Sequence, residues 1–264
     1  MSAVDYRDQT TLITGASSGI GAEFARHLAQ RGSDLILVAR RRHRLEELAK
    51  ELAGRFGVRA EVIALDLSQP AVGPILATEL ERRGLEVTSL INNAGFATYA
   101  RFHDEEAHRI RTEIAVDVAA LVDITHTFIG ALRARGTGVL INVASVLAYQ
   151  PVPSMAVYGA AKAFVLSFTE ALWYESRGTG LRVIALSPGA TSTEFFDVVG
   201  TDAAGGGTPR QTPKQVVETA LHALDRRYPP PSIVSGRLNR IIALGGRVFG
   251  HRLIVDIMGR IMTR

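Results

Sequence analysis

Short apolar runs alternate with segments of helical period along most of this chain, and few folds accommodate that pattern. Thr10–Thr14, Leu35–Ala39, Arg59–Leu65, Val87–Ile91, Val139–Ala144 and Leu181–Leu186 read as strands. Helical patterns fill the gaps, over residues 20–30, 43–56, about 70–83, about 105–135 and about 155–177. The strands are nearly continuous apolar runs, as expected of a sheet covered on both faces. Strand–helix alternation of this kind builds right-handed βαβ units and a parallel sheet. The expectation is an α/β fold with a doubly wound parallel sheet. One domain covers residues 1–236, and a basic, amphipathic helical extension covers 237–264.

Composition narrows the chemistry. The 264 residues include no cysteine, which excludes a disulfide framework, a thiol nucleophile and a thiolate metal site. The histidines have no metal-ligand spacing, and His103 and His108 read as surface residues; no metal is expected. The net charge of +4 is unevenly spread. Eight arginines and the single acid Asp256 give the stretch from Arg226 onward +7, so the preceding residues carry −3. That acidic body lacks interleaved basic and aromatic residues, so nucleic acid is not an expected partner. No targeting segment and no run of roughly 18 apolar residues is visible, which suggests a cytoplasmic protein.

Thr14-Gly-Ala-Ser-Ser-Gly-Ile-Gly21 lies where the first strand turns into the first helix. Gly15 permits a tight turn, and Gly19 and Gly21 let backbone approach a pyrophosphate at a helix N-terminus. About 20 residues on, a fold that binds NAD places an acid on the ribose. Here Arg40-Arg41-Arg42 stands instead. A guanidinium binds a 2′-phosphate bidentately, so NADP(H) is the expected cofactor, with Arg40 as its first contact. Asp66, ending the third strand, either accepts from the adenine amino group or caps the next helix.

Chemistry is expected at the other end of the crevice. Ser145 follows the apolar strand Val139–Ala144, at its carboxyl end. Tyr158 and Lys162 share one helical face, four residues apart. Hydride transfer to a carbonyl creates an alkoxide that needs a proton. A tyrosine can give it, an adjacent ammonium lowers the tyrosine pKa, and a serine hydroxyl can donate to the developing oxyanion.

With Asn92-Asn-Ala-Gly95 and Pro188-Gly-Ala-Thr-Ser-Thr193 in the same order, these residues resemble the short-chain dehydrogenase/reductase family, over about residues 8 to 235. The resemblance implies a Rossmann-like single domain of the NADP(H)-preferring branch, transferring a hydride between the nicotinamide and a carbonyl or alcohol. Tyr158 would be the catalytic acid/base, Lys162 would hold the nicotinamide ribose and tune Tyr158, and Ser145 would orient the substrate oxygen. Asn93 would lie along the cofactor, with Ser17, Ser18 and Ile20 near the phosphates and Pro188, Gly189, Thr191 and Thr193 at the carboxamide side. Members are usually homodimers or homotetramers built on the helices carrying residues 105–135 and 155–177.

Asp117 departs from the family pattern, which has asparagine there. It lies in an apolar stripe with Ile110, Ile114, Leu121, Ile124 and Phe128, where a carboxylate is costly unless paired. The family geometry offers Lys162, through water. Asp117 then either supports the proton relay and raises the Tyr158 pKa, or packs without a catalytic part. Phe96, Tyr99, Leu147, Tyr149, Val152, Phe195 and Phe196 follow strands and suggest a hydrophobic substrate. Residues 189–213 read as a long loop of the kind that forms lids. The tail carries Leu238, Ile241, Ile242, Val248, Phe249, Leu253, Ile254, Ile257, Met258 and Ile261 among its arginines. It either docks on the domain or a partner subunit, or touches a membrane surface peripherally. The rival from another class is a non-catalytic NADP(H)-binding regulator or scaffold.

Overall fold

The computed structural model describes residues 4–248 and 250–262. Seven parallel strands form one sheet in the order β3-β2-β1-β4-β5-β6-β7. They are β1 (Thr10–Thr14), β2 (Asp34–Ala39), β3 (Ala60–Ala64), β4 (Ser89–Asn92), β5 (Val139–Val143), β6 (Arg182–Ser187) and β7 (Ser232–Val234). The helices are α1 (Gly19–Gln30), α2 (Arg42–Phe56), α3 (Val72–Arg82), α4 (Ala107–Ile114), α5 (Leu121–Arg135), α6 (Ala156–Glu175), α7 (Phe195–Val199), α8 (Pro213–Leu224), α9 (Arg237–Val248) and α10 (His251–Met262). The expected single-domain, Rossmann-like sheet is observed. Its strand order reverses between β1 and β4, and a crevice opens there at the carboxyl ends of the strands.

Each face of the sheet is buried by helices, which is why the strands carry no polar alternation. Phe24 and Leu28 of α1, Leu45 and Leu52 of α2, and Val216 and Leu221 of α8 cover one face. Leu76 and Leu80 of α3 and Ile124, Phe128 and Leu132 of α5 cover the other. Each such side chain contributes about 1.5–3 kcal/mol by leaving water. Helix α8 starts where local chemistry dictates: Thr212 and Gln215 form a reciprocal capping box, with Pro213 in the first turn. Buried amides join the layers behind the crevice. Asn92 Nδ2 donates to Asn142 Oδ1 and to Thr125 Oγ1, and Asn142 Nδ2 donates to Thr169 Oγ1, each at 2.9 Å.

Two expectations need correction. The helix expected over 105–135 is not regular: six residues, Ala115–Ala120, form a π turn between α4 and α5. The extra residue rotates the preceding turn, so Glu113 is buried and Ile114, assigned to the inward stripe, is 44% exposed. By length and mean hydropathy this helix is apolar enough to cross a membrane, although acids interrupt its apolar residues. It buries the acids Glu113 and Asp117 and packs on α3, as a core helix does. The stretch 189–213 is not structureless, since α7 and a 3-10 turn at Asp202–Gly205 lie within it. The tail takes one of its two expected places and folds back on its own domain. Gly246 of α9 packs so closely on the Tyr149 carbonyl that a Cβ would stand 2.5 Å from it. Met262 of α10 is buried, and its carbonyl accepts from the Tyr99 hydroxyl. Phe249 lies outside the described residues.

Candidate active site

One cavity of about 770 Å³ runs along the crevice and gathers nearly every residue singled out in the sequence. Gly15, Ser17, Ser18, Gly19, Ile20, Arg40, Asp66 and Asn93 line one end. Ser145, Tyr158, Lys162, Pro188, Gly189, Thr191 and Thr193 line the other. Gly21 and Asp117 are not in its wall, and act from behind it.

The glycine turn is built tightly. Gly15 and Gly19 have φ of +66° and +56°, a region that side chains disfavour. A Cβ on Gly21 would stand 2.4 Å from the Gly15 carbonyl. Asn93 pins the turn: its Nδ2 donates to the Thr14 carbonyl at 3.0 Å, and its backbone N–H donates to Thr14 Oγ1 at the same distance. Asn93 thus orders the turn as well as lining the cavity. Helix α1 has no side-chain cap at Ser18, so its first N–H groups are available to an anion. These features suit a dinucleotide pyrophosphate.

Arg40 is exposed at the cavity edge, and Arg41 is the arginine that reaches the turn. Arg41 donates to Ser17 Oγ at 3.0 Å, Ser18 Oγ at 2.9 Å and Glu194 Oε2 at 2.7 Å. Arg44 and Arg41 together hold the Glu194 carboxyl below the usual range. The basic corner therefore suits a 2′-phosphate, with Arg41 beside Arg40. Asp66 accepts from the Ser68 N–H at 3.0 Å, which lowers its pKa. It caps a turn and not helix α3, which begins at Val72, so the helix-capping alternative is dropped.

At the chemical end, Tyr158 is 9% exposed, Ser145 7%, Lys162 4% and Asp117 0%. Ser145 Oγ accepts from the Leu147 N–H at 3.1 Å, leaving its own proton for another acceptor. Lys162 Nζ lies 5.5 Å from the Tyr158 ring centre and donates to the Val143 carbonyl at 3.2 Å. It also meets Asp117 Oδ2 directly at 2.9 Å, a close ion pair whose angle is poor for a hydrogen bond. The expected water bridge is thus replaced by direct contact. Asp117 Oδ1 accepts from the Phe96 N–H at 3.0 Å. A Cβ at Gly95 would press on both partners, so a glycine there leaves room for the pair.

These contacts set opposing proton affinities. Burial pushes the Tyr158 hydroxyl up, Lys162 pulls it down, and Asp117 pushes it up again. Burial alone would lower Lys162, but Asp117 and Tyr158 outweigh it and hold the ammonium above its ordinary value. Burial pushes Asp117 up against the pull of Lys162 and the Phe96 N–H. The 2.9 Å contact makes the charged pair the form we assign.

Sequence reasoning missed Glu113. It is fully buried one turn before Asp117, and accepts from Thr98 N–H at 3.1 Å and Thr98 Oγ1 at 2.8 Å. Burial raises its pKa to about 7. Its Oε1 has no hydrogen-bond partner among the described residues. Glu194 was also missed, because only the fold brings it to Arg41.

Of the aromatic and apolar residues expected at the substrate, Phe96, Leu147, Phe195 and Phe196 line the cavity. Tyr99, Tyr149 and Val152 do not line it; Tyr99 instead anchors α10. Phe195 packs on Tyr158 with ring centres 5.6 Å apart. The tail supplies the rest of the wall, with Ile242, Ile254, Met258 and Ile261. Asn239 ties α9 to the Gly189 turn, donating to Gln211 Oε1 at 3.2 Å and crowding the space where a Gly189 Cβ would sit.

A family model described as short chain dehydrogenase matches residues 9–204. Sulfoacetaldehyde reductase 2 of Chromohalobacter salexigens is 40% identical over 186 residues, covering 70% of this chain and 73% of that protein. A short-chain dehydrogenase from Sphingobium yanoikuyae, solved in complex with NADPH, is 36% identical with a TM-score of 0.79, covering 90% of this chain and 93% of that one. A 7beta-hydroxysteroid dehydrogenase structure is 26% identical with a TM-score of 0.85, covering 98% and 100%.

Proposed function

The chain belongs to the short-chain dehydrogenases, oxidoreductases of carbonyl and alcohol groups, and on that premise we propose that it uses NADP(H) to reduce a hydrophobic ketone or aldehyde. The observation that carries this reading is the continuous cavity along the crevice. One end is edged by Arg40 and Arg41, and the other joins Tyr158 to an apolar wall. Neighbours solved with NADPH support the coenzyme, and relatives that act on carbonyls support the reaction.

NADPH, when bound, supplies the hydride. Tyr158 gives its hydroxyl proton to the carbonyl oxygen as charge develops there. Ser145, whose oxygen is already held by the Leu147 N–H, donates its proton to the same oxygen. Lys162 stabilises the phenolate that remains, and Asp117 balances the ammonium so that a buried lysine keeps its charge. Gly15, Gly19 and Gly21 shape the pyrophosphate seat, with Ser17, Ser18 and Ile20 beside it. Thr191, Thr193, Pro188 and Gly189, which line the same cavity, would hold the carboxamide side of the coenzyme.

The apolar wall from Phe96, Leu147, Phe195, Phe196 and α10 favours a bulky hydrophobic substrate. A second reading, a short anionic aldehyde, is favoured by Arg109, which also lines the cavity. An NADPH-oxidation screen across hydrophobic ketones and short anionic aldehydes decides between them. Turnover of the hydrophobic set, abolished in Tyr158→Phe, is expected; activity that survives in Tyr158→Phe would refute the mechanism.

Exposed Ile114 and Phe164 on α4 and α6 fit an oligomer built on those helices, which light scattering would detect. The outer faces of α9 and α10 expose Leu238, Ile241, Leu244 and Leu253 beside Arg237, Arg240 and Arg252. That pattern fits peripheral contact with an anionic membrane. Sedimentation with anionic vesicles at low salt tests it, and no binding there ends the membrane reading.

A further inference from the structure

Glu194 joins two walls of the cavity that have separate tasks. On one side its carboxylate takes Arg41 Nη1 at 2.7 Å and Arg44 Nη1. Through Arg41 it is linked to Ser17 and Ser18 of the glycine turn. On the other side it immediately precedes α7, whose first residue, Phe195, packs on the Tyr158 ring. The Phe195 N–H donates to Thr193 Oγ1 at 3.3 Å, and the Thr193 side chain presses on Gly19.

A carboxylate and a phosphate compete for the same guanidinium, because each presents a pair of oxygens that accept two parallel N–H donors. Arg41 and Arg44 each spend a donor on Glu194. A phosphate with up to two charges and three free oxygens outbids one carboxylate for this corner. The ribose of NAD(H) carries no such group and leaves the carboxylate in place.

We propose that Glu194 is a coenzyme-discriminating residue: it occupies Arg41 and Arg44 until a 2′-phosphate displaces it, and its release loosens the Phe195 wall against Tyr158. The inference rests on the reading that NADP(H) binds this crevice, and it adds that coenzyme identity is transmitted to the substrate wall. Binding of NADPH thus exchanges one anion for another on the same two arginines. Binding of NADH leaves residues 194–199 fastened.

The test uses the full chain and Glu194→Gln, with dissociation constants for NADPH, NADH, 2′,5′-ADP and 5′-ADP by calorimetry. Removing the competitor should tighten NADPH and 2′,5′-ADP roughly threefold to tenfold, the range expected for half-exposed ion pairs shared by two arginines. NADH and 5′-ADP should stay within about twofold. Hydrogen exchange over residues 194–205 supplies a readout independent of turnover. NADPH should speed exchange there in the wild type and NADH should not, and the variant should exchange fast without coenzyme. Weaker binding of 2′,5′-ADP to the variant, or equal tightening of all four ligands, overturns the proposal. So does exchange that responds identically to NADPH and NADH. A wild type that binds NADH as tightly as NADPH would instead refute the coenzyme reading beneath it.

Discussion

Asp117→Asn isolates one charge at the centre of the site. The carboxylate touches Lys162 Nζ at 2.9 Å, and that ammonium lies 5.5 Å from the Tyr158 ring centre. Asp117 is therefore within about 8 Å of the ring. Two unit charges at that separation interact by about 2 kcal/mol at an effective dielectric constant near 20. The sign follows from the charges. Asp117 opposes the phenolate, so its removal lowers the Tyr158 pKa. Asparagine keeps the size and can still accept the Phe96 N–H. The assay is the pH dependence of kcat/KM for NADP-linked alcohol oxidation, where phenolate is the active base. The rising limb should move to lower pH. A limb that stays in place or moves up would refute the reasoning. It would mean that Lys162 loses its proton when its partner is removed, so that the two charges do not act separately on Tyr158.

Two further outcomes follow, one from a group behind the cavity and one from its wall. Burial raises the Glu113 pKa from 4.5 to about 7, so the fold prefers its protonated form. Stability from this group is present below about pH 4.5 and is lost as pH rises through about 7. Glu113→Gln should therefore stabilise the chain at alkaline pH by about 2 kcal/mol and have little effect in mild acid, as read from urea unfolding at both pH values. Deleting α10 should raise KM for bulky ketones severalfold while leaving NADPH affinity nearly unchanged, because Ile254, Met258 and Ile261 wall only the substrate end. Loss of coenzyme binding in that truncation would contradict the division of labour.

The strands were legible because burial on both faces makes them uniformly apolar, and the Tyr158–Lys162 pair because a helix places residues four apart on one side. What was hidden depends on long-range geometry. A π turn is not written in Ala115-Val-Asp-Val-Ala-Ala120, so a regular period placed Ile114 inward and overlooked Glu113. Glu194 looked like an ordinary acid in a loop, since the arginines it holds lie 150 residues earlier. Arg40 was favoured by position alone, whereas the side chain that reaches the glycine turn belongs to its neighbour. The tail's amphipathic spacing was plain, but which surface it covers was not. The small residue that decides this, Gly246 against Tyr149, looks like a helix weakness until the close approach is seen.

The buried amides of Asn92 and Asn142 have a consequence for how such a chain can diversify. They clamp β4, β5, α5 and α6 together, so the residues that handle protons stand on one rigid block. Much of the apolar cavity wall comes from α7, α9 and α10, which touch that block from outside. Selection can therefore rewrite the outer helices for a new molecule while the proton chemistry is inherited intact. A chimera carrying another relative's terminal helices on this block should exchange substrate range without relearning catalysis.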